Sequence, residues 1–375
     1  MSKCRQSISA AAAVVLFMAG LGWSAISRPR TLEIGARAPD FNLPGVDGRH
    51  YKLASFTKAN ILVVIFTCNH CPTAQAYEER IKKLAADYKS KGVALVAISP
   101  NDPKAVRLDE LGYSDMSDSL EEMKIRAKDK KFKFPYLYDG DKQKVSRAYG
   151  PVTTPHVFIF DKERKLRYVG RIDDSERPER VKSRDARNAI DALLSGKNVP
   201  VERTRTFGCS IKWSTKREYV KKAFEQWAKE AVSVEMIDAN GIKELVKNDS
   251  GKLRLVNVWA TWCGPCVVEL DEFVSINRMY RGRDFEMITI SADSPKSKER
   301  ALSFLKAKQA SCRNYLFGSE DKYELMEAVD KESLGGVPYM LLIKPGGEII
   351  YRRLGLINPL ELKKVIVGYL GRTYK

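Results

Sequence analysis

Four of the seven cysteines stand in two C-x-x-C pairs, Cys68 with Cys71 and Cys263 with Cys266. Two thiols at that spacing can do what one cannot: the first attacks a disulfide, and the second attacks the resulting mixed disulfide and releases the product. The attacking sulfur has to be ionised near neutral pH, whereas an unperturbed thiol has a pKa of about 8.5. A helix N-terminus meets that need, because its unpaired N–H groups and its dipole stabilise an anion. The rival use of such a pair, half of a zinc site or a structural disulfide, wants further Cys or His at ligand spacing, and none follows either pair.

The elements that would position these thiols occur twice. Ile61–Phe66 (ILVVIF) is an unbroken apolar run, the pattern of a strand covered on both faces, and Leu253–Trp259 (LRLVNVW) repeats it. A helical pattern follows each, over residues 72–88 with Pro72 at a tolerated first-turn position, and over residues 267–280. This reading pairs Cys68 with Cys263 as attacking sulfurs at helix starts, and Cys71 with Cys266 as resolving thiols one turn on. Second strands follow at Val93–Ser99 and Phe285–Ser291. Each copy then reaches a proline beside a strand: Thr154-Pro155 before residues 157–160 and the strand Leu166–Gly170, and Val337-Pro338 before residues 340–343 and 348–351. Each ends in a helix, Asp185–Leu194 and Pro359–Leu370. The first copy is longer, with the excess assigned to the polar stretch 101–131.

Strands alternating with helices, closed by a hairpin, predict an α/β fold in two copies, each a mixed central β-sheet flanked by helices. The domains read as residues 32–206 and 232–375. The linker, 207–231, carries Tyr219, Val220, Ala223, Phe224, Trp227 and Ala228 on one helical face, which either packs between the domains or opens the second one.

Composition narrows the class. A chain of 375 residues with 44% hydrophobic and 30% charged residues has material for two or three cores, and is neither disordered nor a polytopic membrane protein. The net charge of +18 is spread among interleaved acids, as in Glu121-Glu122-Met123-Lys124, and no nucleic-acid motif accompanies it. Lys3 and Arg5, the apolar run 8–22 and Ala25-Ile26-Ser27 make residues 1–27 a signal peptide or an N-terminal anchor, the only expected membrane contact. The rest is then exported to the periplasm or cell envelope, where free thiols normally pair.

The pattern of strand, C-x-x-C at a helix start, and X-Pro before a hairpin resembles the thioredoxin fold, here in tandem. The first copy, with APDFNLP at residues 38–44, FTCNHCP and GRIDD at residues 170–174, is similar to redoxins of the AhpC/TSA type. The second, VNVWATWCGPCVVEL, resembles thiol-disulfide oxidoreductases of the TlpA/ResA type. Together the matches cover nearly the whole mature chain. The resemblance implies redox-active disulfides at both pairs and no cofactor or metal. It implies that Pro155 and Pro338 are cis prolines which, with Thr154, Val337 and Trp262, face a substrate segment. The buried acid of thioredoxin falls at Asn257 and, by this alignment, at Leu62. The acid of the TlpA/ResA pattern instead falls at Glu269, one turn beyond Cys266, with Ala74 at the equivalent site of the first copy. Glu269 is thus the expected proton-transfer group, unless it is an exposed helix carboxylate. His70, before Cys71, favours the Cys68 thiolate and makes that pair the more oxidising, or else is an exposed turn residue. Cys209 and Cys312 are left as an interdomain bridge, an accessory resolving thiol or buried free thiols, and His50 and His156 have no assigned role.

These readings converge on disulfide exchange with exported proteins, fed by an upstream donor such as a membrane thiol carrier. Two alternatives compete. A thiol peroxidase suits the first copy, yet the peroxiredoxin pattern P-x-x-x-T-x-x-C is absent. Counted from Cys71 the threonine site holds Cys68, and counted from Cys68 the proline and threonine sites hold Ile61 and Ile65. A copper- or haem-maturation thiol carrier would suit paired soft thiolates, but histidines are few and no Met-rich stretch occurs.

Overall fold

The computed structural model describes residues 29–374, so the segment read as a signal or anchor lies outside the described residues. Two mixed sheets organise the chain. In the first the strand order is Tyr136–Tyr138, Val93–Ser99, Ile61–Phe66, His156–Phe160, Leu166–Gly170, the first three mutually parallel and the last two antiparallel. In the second it is Glu235–Ile237, Arg313–Phe317, Phe285–Ser291, Leu253–Trp259, Tyr339–Ile343, Ile349–Leu354, with the same switch to antiparallel pairing after Leu253–Trp259.

The unbroken apolar run is explained by burial on two sides. Ile61, Val63 and Ile65 pack with Tyr77, Ile81 and Leu84 of the helix Pro72–Lys89, while Leu62, Val64 and Phe66 meet Phe41, Leu43 and Tyr149 on the other face. Each such side chain contributes roughly 1.5–3 kcal/mol, which fixes the strand end from which the first cysteine pair departs. Short strands such as Tyr136–Tyr138 and Glu235–Ile237 carry too few residues to show periodicity, and they complete the sheets at their edges.

The polar stretch 101–131 joins the domains. Val106 and Leu111 bury themselves in the second core, the Tyr280 hydroxyl donates to Ser114 O at 2.7 Å, and Arg283 donates to Gly112 O at 2.9 Å. The linker helix, Arg217–Trp227, sits between the domains. It buries Ala223 and Trp227, and Arg217 pairs with Asp102 of the first domain at 2.5 Å. Arg278 of the second lies over the Trp227 ring at 5.3 Å. Tyr219 and Phe224 of the expected apolar face are exposed. Among the described residues no helix is long and apolar enough to cross a membrane.

Candidate active sites

Strand register fixes which residues correspond. Both X-Pro bonds, Thr154-Pro155 and Val337-Pro338, are cis, and the residue after each proline pairs with the cysteine-bearing strand: His156 with Phe66, Tyr339 with Val258. Five residues beyond Phe66 is Cys71, and five beyond Val258 is Cys263. The helix caps agree. Cys71 is the N-cap of Pro72–Lys89, its Sγ accepting from Ala74 N–H at 3.4 Å, and Cys263 is the N-cap of Gly264–Tyr280, its Sγ accepting from Cys266 N–H at 3.3 Å.

The pairing of Cys68 with Cys263 is therefore corrected: the counterpart of Cys263 is Cys71. Cys68 lies before the helix, opposite Ala260, while Ala74 stands where Cys266 stands and Tyr77 where Glu269 stands. Two forces shift the helix start. Asp118 Oδ1 accepts the backbone N–H groups of both Asn69 (2.8 Å) and His70 (3.2 Å), holding the turn outside the helix. Pro72 then disfavours helical backbone at Cys71, which is extended.

Around Cys71 the structure gathers groups that favour a thiolate. Burial pushes its thiol up, but hydrogen bonds from the Cys209 and Cys68 thiols, the charge of His70 and the Ala74 N–H outweigh it and leave the thiol well below its ordinary value. Cys68 goes the other way: burial, its hydrogen bond with Cys71 and the Asp118 charge hold it well above. Its Sγ lies 3.2 Å from Thr154 Oγ1, and Cys71 Sγ lies 3.3 Å from Thr154 O. His70 is not an exposed turn residue. It is 2% exposed, with Nδ1 2.5 Å from Asp118 Oδ2. Burial lowers its pKa, and the Asp118 carboxylate more than restores it and raises the imidazole above its ordinary value, while the charge of His70 lowers the Cys71 thiol. Asn101 Nδ2 braces Asp118 at 2.8 Å. Asp118 and Asn101 were not found in the sequence, because their partners lie in a different segment.

Cys68, His70 and Asp118 also form a buried group with ligand atoms within 4.8 Å of one another. Within it His70 Nδ1 and Asp118 Oδ2 are hydrogen-bonded directly to each other.

The second site is built on the expected plan. Cys263 and Cys266 form a disulfide with an S–S distance of 2.06 Å. Glu269 is buried, and burial lifts its carboxyl to about 7 against the lowering effect of Ile357 N–H, which donates to Oε2 at 3.2 Å. The exposed-carboxylate alternative is thereby excluded. Asn257, at the thioredoxin acid position, is buried with neither amide atom hydrogen-bonded. Trp262 is 53% exposed with Lys322 Nζ 4.2 Å from its ring, Val337 is half-buried, and Pro338 is buried.

The remaining thiols are unbridged. Cys312 is half-buried in the second domain, its thiol donating to Asn314 Oδ1 at 3.3 Å and pushed up to about 12 by burial. Cys209 belongs to the first site, where its N–H donates to Cys71 Sγ at 3.4 Å. His156 is buried and held neutral, lowered to about 3 by burial, and His50 is exposed at a strand start.

Comparison with known proteins gives two family matches along the chain. A family model described as the AhpC/TSA family matches residues 34–169, and one described as Redoxin matches residues 226–365. The thiol-disulfide oxidoreductase ResA of Bacillus cereus is 25% identical over 154 residues, covering 39% of this chain and 78% of its own. ResA of Geobacillus thermodenitrificans is 23% identical over 175 residues, 45% of this chain and 89% of its own. A solved hypothetical protein from Sinorhizobium meliloti is 38% identical, with 49% of this chain and 97% of its own covered at a TM-score of 0.44. The chain is a tandem thioredoxin-like protein. It is an oxidoreductase.

Proposed function

We propose that this oxidoreductase works outside the cytoplasm, exchanging disulfides with exported proteins, and that the second domain meets them. The supporting observation is the conjunction at one helix start of an N-cap sulfur, Cys263, its bonded partner Cys266, and a buried carboxyl at Glu269 lifted to about 7. With the pair reduced, Cys263 attacks a substrate disulfide and one substrate thiolate leaves. Cys266 then loses its proton to Glu269 and attacks Cys263 Sγ, which frees the second substrate thiol and restores the disulfide. An apolar rim suits a protein substrate: Trp262, Leu334 and Leu356 are each at least half exposed, close in sequence to Cys263, Val337 and Ile357. Re-reduction requires a thiol donor, such as a membrane thiol carrier. Export of the chain rests on residues 1–27 and on the likeness to ResA. In cell-envelope extracts a Cys266→Ser variant is expected to accumulate mixed disulfides with exported proteins that reductant releases. Absence of any such adduct, while Cys263 remains alkylatable, contradicts the reading.

A second reading, peroxide reduction at the first site, is favoured by one observation: Cys71 caps its helix alone, with Ala74 where a helix partner would stand. Hydrogen peroxide consumption by a chain lacking Cys263 and Cys266 tests it, and a rate no higher than that of Cys71→Ser removes it.

A further inference from the structure

The first site is covered by the chain itself. The two-residue strand Cys209–Ser210 pairs antiparallel with Thr153–Thr154, Cys209 opposite Thr154 and Ser210 opposite Thr153, directly before cis Pro155. That edge is where an extended segment can add main-chain hydrogen bonds beside a thiolate. The approach is close: a Cβ on Gly208 would lie 2.1 Å from Thr154 O, and Gly208 has φ +128°, a combination only glycine accepts. The strap is held along its length. Phe207 packs on Tyr77, and Lys212 N–H donates to Asn101 Oδ1 at 2.8 Å. Lys212 Nζ pairs with Glu110, and Ser214 N–H donates to Gln143 Oε1 at 2.8 Å. Residues 67–75 are buried throughout, whereas around the second pair Trp262, Gly264, Pro265 and Val268 are exposed.

We infer that residues 207–214 are an internal substrate strand, and that Cys209 is the exchange partner of Cys71, forming a Cys71–Cys209 disulfide that alternates with Cys68–Cys71. The inference rests on the thiol-exchange reading above and assigns the first site an intramolecular partner. The steps balance. When the Cys209–Ser210 strand lifts from Thr153–Thr154 and uncovers the otherwise fully buried Cys71, its thiolate attacks one sulfur of a small disulfide, such as glutathione disulfide. The S–S bond breaks, and a glutathione thiolate leaves and takes a proton from water. Cys209 gives its proton to water and attacks Cys71 Sγ, so that the second glutathione leaves as thiolate and is protonated. Two electrons have passed from the protein to glutathione disulfide. Cys68 thiolate can then attack Cys71 Sγ, forming Cys68–Cys71 and returning the proton to Cys209, with no net redox change. The order of events follows from the hydrogen bonding. While Cys71 is a thiolate, the hydrogen bond to it, then burial, then its charge hold the Cys209 proton in place, and bonding of Cys71 removes the hydrogen bond and the charge.

The test uses the full-length chain with Cys263 and Cys266 replaced by Ser and Cys68→Ser added, reduced, exposed to glutathione disulfide, quenched with acid, alkylated and mapped by peptide mass spectrometry. The expected product is a Cys71–Cys209 linked peptide with little Cys71–glutathione adduct. Adding Cys209→Ser should raise that adduct at least about tenfold. An adduct equally abundant with and without Cys209, with Cys209 alkylated throughout, overturns the internal partner while leaving exchange at Cys71 intact. A Cys71 that takes up no glutathione in either variant overturns exchange at this site, and the internal partner with it.

Discussion

The two cysteine pairs share a spacing and differ in where the helix begins. In the second domain the helix starts between the cysteines, so Cys263 caps it and Cys266 follows within the first turn. In the first it starts after both, so Cys71 takes the capping place and Cys68 is left at the strand end. The same motif thus gives one site with its partner thiol inside the helix and one whose partners, Cys68 and Cys209, come from either side of it. The surroundings follow suit. The open site has a carboxyl tuned by burial, and the covered site has a buried His70–Asp118 pair. A C-x-x-C motif therefore fixes the distance between two thiols along the chain, while capping decides which of them is the anion.

The sharpest way to break the comparison is to remove the group that displaces the first helix start. Asp118→Asn leaves His70 buried without its counter-charge, and is expected to destabilise the first domain by about 3–5 kcal/mol. The pH dependence has a definite sign. The depressed carboxyl of Asp118 contributes stability above its unfolded value of about 4, lost as pH falls. The raised imidazole of His70 contributes below its unfolded value of about 6.5, lost as pH rises through the folded value. Denaturant unfolding should therefore show the largest difference from wild type between about pH 4 and 6.5, and a difference constant over pH would detach the pair from the site.

The contrast in proton handling is sharpened by Glu269→Gln. A carboxyl raised to about 7 weakens the native state progressively as pH rises from the ordinary carboxylate range to about 7. The variant should lose that decline in stability, and its disulfide exchange should slow by about 10-fold or more near neutrality with a flattened pH profile. An unchanged profile would remove Glu269 from the chemistry. The smallest effect is expected at the rim. Trp262→Ala should raise KM for a protein disulfide a few-fold with kcat little changed, because the exposed ring contributes binding surface rather than chemistry. An equal loss with glutathione disulfide would argue against a docking role.

Much of the fold was legible because the decisive strands are long and doubly buried. Ile61–Phe66, Val93–Ser99, Leu253–Trp259 and Phe285–Ser291 appear with the boundaries expected from their apolar runs. At the second site the Cys263, Cys266 and Glu269 arrangement is local, all within one helix and its cap, and so could be read from spacing. At the first site spacing misled. The signal against helix at Cys71 was present in Pro72, which restricts the residue before it, but identical motifs drew the alignment three residues out of register. Asp118 and the strap at Cys209 act through contacts across 49 and 138 residues, which no local pattern encodes.

The central claim, that Cys71 rather than Cys68 is the counterpart of Cys263, is tested most directly by thiolate ultraviolet absorbance during acid titration. The protein would be the reduced full-length chain with Cys263 and Cys266 replaced by Ser. A thiolate signal persisting below the range of ordinary thiols is predicted, retained in Cys68→Ser and abolished in Cys71→Ser. Retention in Cys71→Ser with loss in Cys68→Ser would contradict it.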